Sequence, residues 1–335
     1  MIELKQPKNG ARVSLQTSVQ RDFICNGRKY LTDELDLQAF RTQFEHIIDP
    51  SRPAKITFEW QATDGLCSTI EISKKQDFSE ILMSEVCNNK FYGYNFEAGV
   101  TYYWRVRNPR EESEVFSFTA ADEVPRFLYV DGMTNLRDLG GYVTEDGKRI
   151  KQGLIIRGAE PDMHTIITEY GKKTMNGLFG IKTEIDLRGE AAGFTLKSPI
   201  GVNVNYHLIP LQAYEYYVLE SNFEAIRKIF KILSDKNNYP VFFHCWGGAD
   251  RTGCLAFSIE ALLGLCEEKL MQDFELTCLS YYGNIKSRDE KEFSSMIGSL
   301  STFGESWKER MEKFLISCGV TKEEIENIRE IMLEK

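Results

Sequence analysis

Val241-Phe-Phe-His-Cys-Trp-Gly-Gly-Ala-Asp-Arg-Thr-Gly253 decides the reading of this chain. The apolar run Val241 to His244 reads as a short buried strand that ends at Cys245. Gly247 and Gly248 follow, and a helical pattern runs from Arg251 through Leu265. Strand, glycine-bearing turn and helix start, in that order, make a cradle for an anion. Five residues separate Cys245 from Arg251, which lets the turn curl until its backbone N–H groups converge. The two glycines permit the backbone angles of that curl. The helix N-terminus adds partial positive charge. Arg251 can grip two phosphate oxygens in a bidentate fork.

The same field favours a thiolate over a thiol, so Cys245 is the expected nucleophile toward phosphorus. Trp246, Gly247, Gly248, Ala249, Asp250, Arg251 and Thr252 form the expected phosphate-binding loop. Thr252 is placed to hydrogen-bond the sulfur and assist the second chemical step. His244 is expected to order the loop rather than move a proton. No metal or cofactor is expected, because loop amides and Arg251 can neutralise a transferring phosphoryl group.

Outward from this loop, alternating strand and helix patterns predict a mostly parallel sheet flanked by helices. The strands are expected at Leu154–Ile156, Thr183–Leu187, Val204–Ile209 and Val241–His244. A helix is expected over Asn222–Leu233, with Phe223, Ile226, Ile229, Phe230 and Leu233 on one face. The C-terminal third reads as helical, with Gly319 ending one helix and Thr321-Lys-Glu-Glu324 boxing the start of the last. Toward the N-terminus the period changes to two. Thr57–Trp60, Ile70–Ile72, Thr101–Val106 and Val115–Phe118 alternate, with Tyr102, Trp104 and Val106 opposite Arg105 and Arg107. Leu35–Ile48 is readable as a short helix or as an early strand. The expected architecture is therefore multi-domain. An all-β sandwich over residues 1–121 precedes an α/β domain over 122–335 with a helical C-terminal region, joined through residues 119–125.

The string His244, Cys245, Gly248, Arg251, Thr252, Gly253 resembles the Cys-x5-Arg signature of the protein tyrosine phosphatase superfamily. Asn135-Leu-Arg-Asp-Leu-Gly-Gly-Tyr142 resembles a stretch of bacterial tyrosine phosphatases that also act on phosphoinositides. Arg157-Gly158 and Ile185-Asp-Leu-Arg188 fit the same family. The resemblance spans roughly residues 126–335 and implies hydrolysis of phosphomonoesters through a cysteinyl-phosphate. It makes Asn135, Arg137, Asp138, Arg157 and Arg188 supporting residues. For Arg137 and Asp138 a loop ion pair and direct substrate contact are both open. Gly99-Val-Thr-Tyr-Tyr-Trp-Arg-Val-Arg107 is similar to a late strand of fibronectin type III modules, which implies a spacer or a module that docks a protein partner.

A phosphatase also needs an acid for the leaving oxygen. No aspartate lies between Asp186 and Asp235, and the segment 210–217 offers only Glu215. Asp250 is then the expected acid, a role the resemblance also implies. Ala249 stands where lipid-active relatives often carry lysine, which tilts the substrate toward a phosphorylated protein or peptide and away from phospholipid. The alternatives are a phosphatase of inositol phosphates or phosphoinositides, and a weakly catalytic phosphate-binding module. Tyr214, Tyr216 and Tyr217 are expected either to wall the pocket or to pack a helix.

The bulk of the chain adds exclusions. A net charge of -9 over 335 residues argues against a generic nucleic-acid or anionic-membrane binder. Eight cysteines are too sparse for a disulfide scaffold, and the reduced state suits a nucleophilic thiol. MIELKQPKNG carries no apolar core of a signal peptide, which leaves a cytoplasmic or a secreted location open. No apolar run reaches the ~18 residues of a membrane span.

Overall fold

A computed structural model of the chain describes residues 1–43, 49–63, 65–189, 197–282 and 285–335. The chain divides into two compact units: Met1–Thr17 with Pro53–Arg126, and Ser18–Arg52 with Phe127–Lys335. The sequence places one boundary at 121/122. The structure differs in assigning Ser18–Arg52 to the second unit, and the reason is where its apolar side chains bury. Helix α1 (Ser18–Leu31) and helix α2 (Leu37–Thr42) bring Phe23, Tyr30 and Phe40 into one cluster with Phe127, Leu276 and Leu279. Of the ambiguous stretch Leu35–Ile48, α2 is the helical part, and residues 44–48 lie outside the described residues.

In the first unit, strands β1 (Ile2–Gln6), β3 (Ile56–Ala62) and β6 (Lys90–Gly93) form a sheet in the order β1-β3-β6. Strands β2 (Ala11–Val13), β4 (Ser68–Ser73), β5 (Met83–Cys87), β7 (Thr101–Arg107) and β8 (Phe116–Ala120) form the other, in the order β2-β8-β7-β4-β5. Both sheets contribute to one core, in which Phe58 of β3 meets Trp104 of β7 edge-on at 5.2 Å. The two-residue period holds as expected in β7. Tyr102, Trp104 and Val106 are buried, while Arg105 and Arg107 converge from the other face on the buried Glu71 carboxylate.

The second unit is built on a six-stranded sheet. Its strands are β9 (Arg126–Phe127), β10 (Arg137–Asp138), β11 (Ile155–Gly158), β12 (Thr183–Asp186), β13 (Asn205–Leu208) and β14 (Val241–His244), in the order β13-β12-β14-β11-β10-β9. β13, β12, β14 and β11 run parallel, and β10 is antiparallel to β11. The central strands are buried throughout, which is why they read as apolar runs without alternation.

Seven helices of the unit follow α2 in the chain among the described residues: α3 (Glu169–Lys173), α4 (Phe223–Leu233), α5 (Asp250–Leu263), α6 (Glu267–Glu275), α7 (Lys291–Leu300), α8 (Trp307–Ser317) and α9 (Lys322–Met332). In α5 every residue from Thr252 to Leu263 is buried, as an all-round apolar helix requires. Gly264 at φ 91° ends it in the left-handed region. The expected capping box forms at Thr321 and Glu324. Parallel sheets place ligands at the carboxyl ends of their strands. Here β14 ends at Cys245, β12 leads to Arg188, and β11 leads to Glu160.

Candidate functional site

Cys245 leaves β14 directly and is buried. Helix α5 begins at Asp250, and its N-cap Ala249 gives no side-chain cap bond. Its first-turn amides are therefore left for an anion. The carbonyls of the intervening turn are each taken by a donor from behind. Glu160 N donates to Trp246 O at 3.0 Å. Asn135 Nδ2 donates to Gly247 O at 2.9 Å and to Gly248 O at 3.1 Å. Arg157 Nη2 donates to Gly248 O at 2.7 Å. In a trans peptide the next N–H points opposite to the carbonyl, so the amides of Gly247, Gly248 and Ala249 point away from these donors. Gly248 sits at φ +65°, and a Cβ there would meet Gly158 backbone atoms at 2.4 Å.

Arg251 differs from the other arginines of the site. Its Nη1 donates to Leu187 O at 3.3 Å, and no carboxylate among the described residues lies in ion-pair range. Arg137 and Arg157 instead share Asp273. Arg137 Nε donates to Oδ1 at 2.9 Å, and Arg157 Nη1 makes a short bond to Oδ2. Burial opposes the Asp273 charge, but the two guanidiniums outweigh it and hold the carboxyl below its usual range. Arg137 therefore pairs with Asp273. Asp138 accepts from Gly140 N at 2.8 Å and Gly153 N at 2.6 Å, which fixes the turn after β10. Both side chains are buried. The Glu260 carboxyl nearby has no hydrogen-bond partner on either oxygen among the described residues. Burial, reinforced by Asp273, pushes it well above its ordinary value, toward the neutral acid. Thr252 Oγ1 is also buried without a hydrogen-bond partner among the described residues.

Arg188 braces the loop from another side. It is gripped by Asp186, with Nη2 to Oδ2 at 2.7 Å, and by Asp162 at 2.8 Å. Its guanidinium lies 4.9 Å from the centre of the Trp246 ring. The Glu160 carboxylate accepts the backbone N–H groups of Asp162, Met163, His164 and Thr165. That pins His164 edge-on to Trp246, with ring centres 5.1 Å apart. His244 Nε2 meets Glu184 Oε1 at 2.9 Å, and its Nδ1 lies 3.1 Å from Cys245 O. Burial disfavours the imidazolium, but Glu184 and Asp186 outweigh it and raise the His244 pKa. This contact pattern orders the loop.

Asp250 stands at the mouth of the loop. Lys286 Nζ lies 2.7 Å from its Oδ1, and the Tyr214 hydroxyl makes a short bond to the same oxygen. Burial raises its pKa, but Lys286 and Tyr214 outweigh burial and hold the carboxyl below its usual range. Of the three tyrosines only Tyr214, at φ 60°, reaches the loop. Tyr217 is buried and donates to Ser258 Oγ at 2.8 Å, and Tyr216 is exposed. Lys286 brings an ammonium to the loop at Asp250, and its Nζ also lies 3.6 Å from Glu290 Oε2.

Asp273, Glu160, Glu184 and Lys286 are absent from the sequence reading. For Asp273 a signal existed. It lies among Leu270, Met271 and Phe274 on the buried face of α6, and a buried carboxylate demands a cation. The other three carry no local mark.

Known proteins match this chain to different extents. Over 52 residues the chain is 33% identical to the inositol diphosphatase DSP4 of Arabidopsis thaliana, which covers 16% of this chain and 26% of that protein. The chain thus matches about a quarter of that relative's length. The core catalytic domain of the PP-IP phosphatase SIW14 from S. cerevisiae aligns with 49% of this chain and 93% of its own, at 14% identity and a TM-score of 0.31. A family model described as the tyrosine phosphatase family matches residues 128–334, which is most of the chain and nearly all of the second unit apart from Ser18–Arg52. The chain belongs to the tyrosine phosphatase family.

Proposed function

We propose that the second unit hydrolyses phosphate esters through a covalent phosphocysteine on Cys245. The observation that carries this is the charge of Arg251. It stands at the start of α5 with no carboxylate in contact among the described residues, beside a turn whose carbonyls are all drawn backward. An incoming phosphoryl group meets the amides, the helix N-terminus and that guanidinium. The Cys245 sulfur attacks phosphorus and the ester oxygen leaves. Water then attacks phosphorus, and the S–P bond breaks with its electron pair returning to the Cys245 thiolate. Thr252, buried without a hydrogen-bond partner among the described residues, donates a hydrogen bond to the sulfur in that step, and inorganic phosphate leaves carrying the water oxygen. Arg137, Arg157, Arg188, His244 and Asn135 hold the loop and do not touch substrate.

For the substrate we favour an inositol phosphate or diphosphate over phosphotyrosyl protein. The 52-residue similarity to an inositol diphosphatase supports it. The ionised state of Asp250 also favours a leaving group that departs without a proton, which singles out the phosphate released from an inositol diphosphate over the alkoxide of an inositol monophosphate. Phosphotyrosyl protein is the second reading and rests on the family description. A panel of inositol phosphates, diphosphoinositols, phosphoinositide vesicles and phosphotyrosyl peptides separates them. The expected result is highest kcat/KM on the soluble inositol species, lost in Cys245→Ser. Preference for phosphotyrosyl peptides would overturn the substrate reading and leave the chemistry standing. The two sheet orders of the first unit support reading it as a fibronectin type III-like module.

A further inference from the structure

The stretch Ser18–Arg52 lies between β2 and β3 in the chain, yet it belongs to the second unit. Its last residues end behind the loop that follows Cys245. Asp49 and Ser51 are buried, as is Asn135. Ser51 Oγ lies 2.6 Å from Asp49 Oδ1, and Asn135 N lies 3.0 Å from Ser51 Oγ. A hydroxyl has one hydrogen. The acceptor-only carboxylate of Asp49 takes it, which leaves a lone pair for the Asn135 N–H. Ser51 N also donates to Asp49 Oδ1, at 3.1 Å, and locks the turn.

Asn135 needs that acceptor. It sits at φ 58°, a left-handed conformation that costs a non-glycine residue energy unless its surroundings fix it. Its side chain is fully committed. Both Nδ2 hydrogens go to Gly247 O and Gly248 O, and Oδ1 accepts from Arg137 Nη1 at 2.5 Å. Any shift of the Asn135 backbone therefore moves two carbonyls of the phosphate loop, and with them the amides on the opposite side of those peptides.

We infer that Ser51 is a positioning residue of the phosphate loop, acting through Asn135, so that the insertion between β2 and β3 is part of the active-site scaffold. The inference rests on the phosphatase reading above. It assigns Asp49 the role of orienting the Ser51 hydroxyl. It also predicts that the effect appears in anion binding and in turnover together.

The test uses the full chain, with Ser51→Ala, Ser51→Thr and, as a stability control, Phe40→Leu. Phe40 packs on the rings of Phe23 and Tyr30 in the same insertion. Two quantities are read below the melting range of every variant. One is kcat/KM on an aryl phosphate. The other is the Kd for inorganic phosphate, measured by calorimetry in a Cys245→Ser background. A misplacement of about 1 Å costs roughly a hundredfold. Ser51→Ala is therefore expected to lose roughly tenfold to a hundredfold in kcat/KM and to bind phosphate more weakly. Ser51→Thr keeps the hydroxyl and recovers both, and Phe40→Leu lowers Tm without weakening phosphate binding. Wild-type values in a folded Ser51→Ala overturn the role of Ser51 alone, and so does an equal loss in Phe40→Leu. A wild-type chain that neither binds phosphate nor cleaves the ester overturns the phosphatase reading together with this one.

Discussion

Asp250 Oδ1 lies 2.7 Å from Lys286 Nζ, so the one carboxylate inside the phosphate loop carries its own counter-ion. Lys286 and Tyr214 hold Asp250 below the usual carboxylate range despite burial. The ionised form is therefore favoured at neutral pH, which opposes its acting as the acid there. Wild type is expected to cleave an alkyl phosphate faster below neutral pH than at it, and Asp250→Asn to remove that acid-side gain. Lys286→Met lets Asp250 keep its proton to higher pH, so the same gain extends upward. Rate profiles on an alkyl and an aryl phosphate check this. A general acid active at neutral pH would instead cost about 10²–10⁴-fold on removal.

The two glycines of the loop are not equivalent. A Cβ on Gly248 would meet Gly158 backbone at 2.4 Å, at a φ of +65°. One on Gly247 would meet only the Tyr282 ring, at 3.5 Å. Gly248→Ala is expected to lose roughly a hundredfold or more in kcat/KM through displaced amides. Gly247→Ala is expected to stay within about tenfold of wild type, since its Cβ makes an ordinary van der Waals contact. Steady-state kinetics of the two variants decide the point.

Asp273 neutralises two fully buried guanidiniums. Removing one partner of a buried ion pair costs about 3–5 kcal/mol, because the charge left behind has no water. Asp273→Ala is expected to destabilise the second unit by about that much in denaturant unfolding. It also frees Arg157, so the donor on Gly248 O is disordered and turnover falls in the molecules that remain folded.

His244 couples stability to pH. Burial alone would lower its pKa, but Glu184 and Asp186 raise it above 6.5, the value expected of the unfolded chain. A raised basic group stabilises most where both states are protonated. The contribution is thus complete below 6.5 and is lost as pH rises through the folded-state pKa. Unfolding followed from pH 6 to 9 in wild type and Glu184→Gln checks the sign, with the slope expected to flatten in the variant.

Much of the site is legible in the chain because it is local. The β14-loop-α5 segment places nucleophile, glycines, arginine and helix start within one stretch, and each has its own residue signature. Strands β7 and β14 are legible for a related reason, since one alternates and the other is buried on both faces. The parts that escaped are those made by distance. Asp273 reaches Arg137 and Arg157, Lys286 reaches Asp250, and Ser51 reaches Asn135, each across long separations in sequence. Helix α1 is hidden for another reason. Its buried positions are Gln20, Phe23, Gly27 and Tyr30, so the apolar stripe is thin, and its cover comes from Leu276 and Leu279 at the far end of the chain.

The central claim is a covalent phosphoryl group on Cys245 during turnover, and acid quench of the working enzyme followed by peptide mass spectrometry tests it most directly. A phosphoryl adduct is expected on the peptide containing Cys245, present with substrate and absent in Cys245→Ser, which still binds phosphate. Full turnover by Cys245→Ser, or an adduct on any other residue, would contradict it.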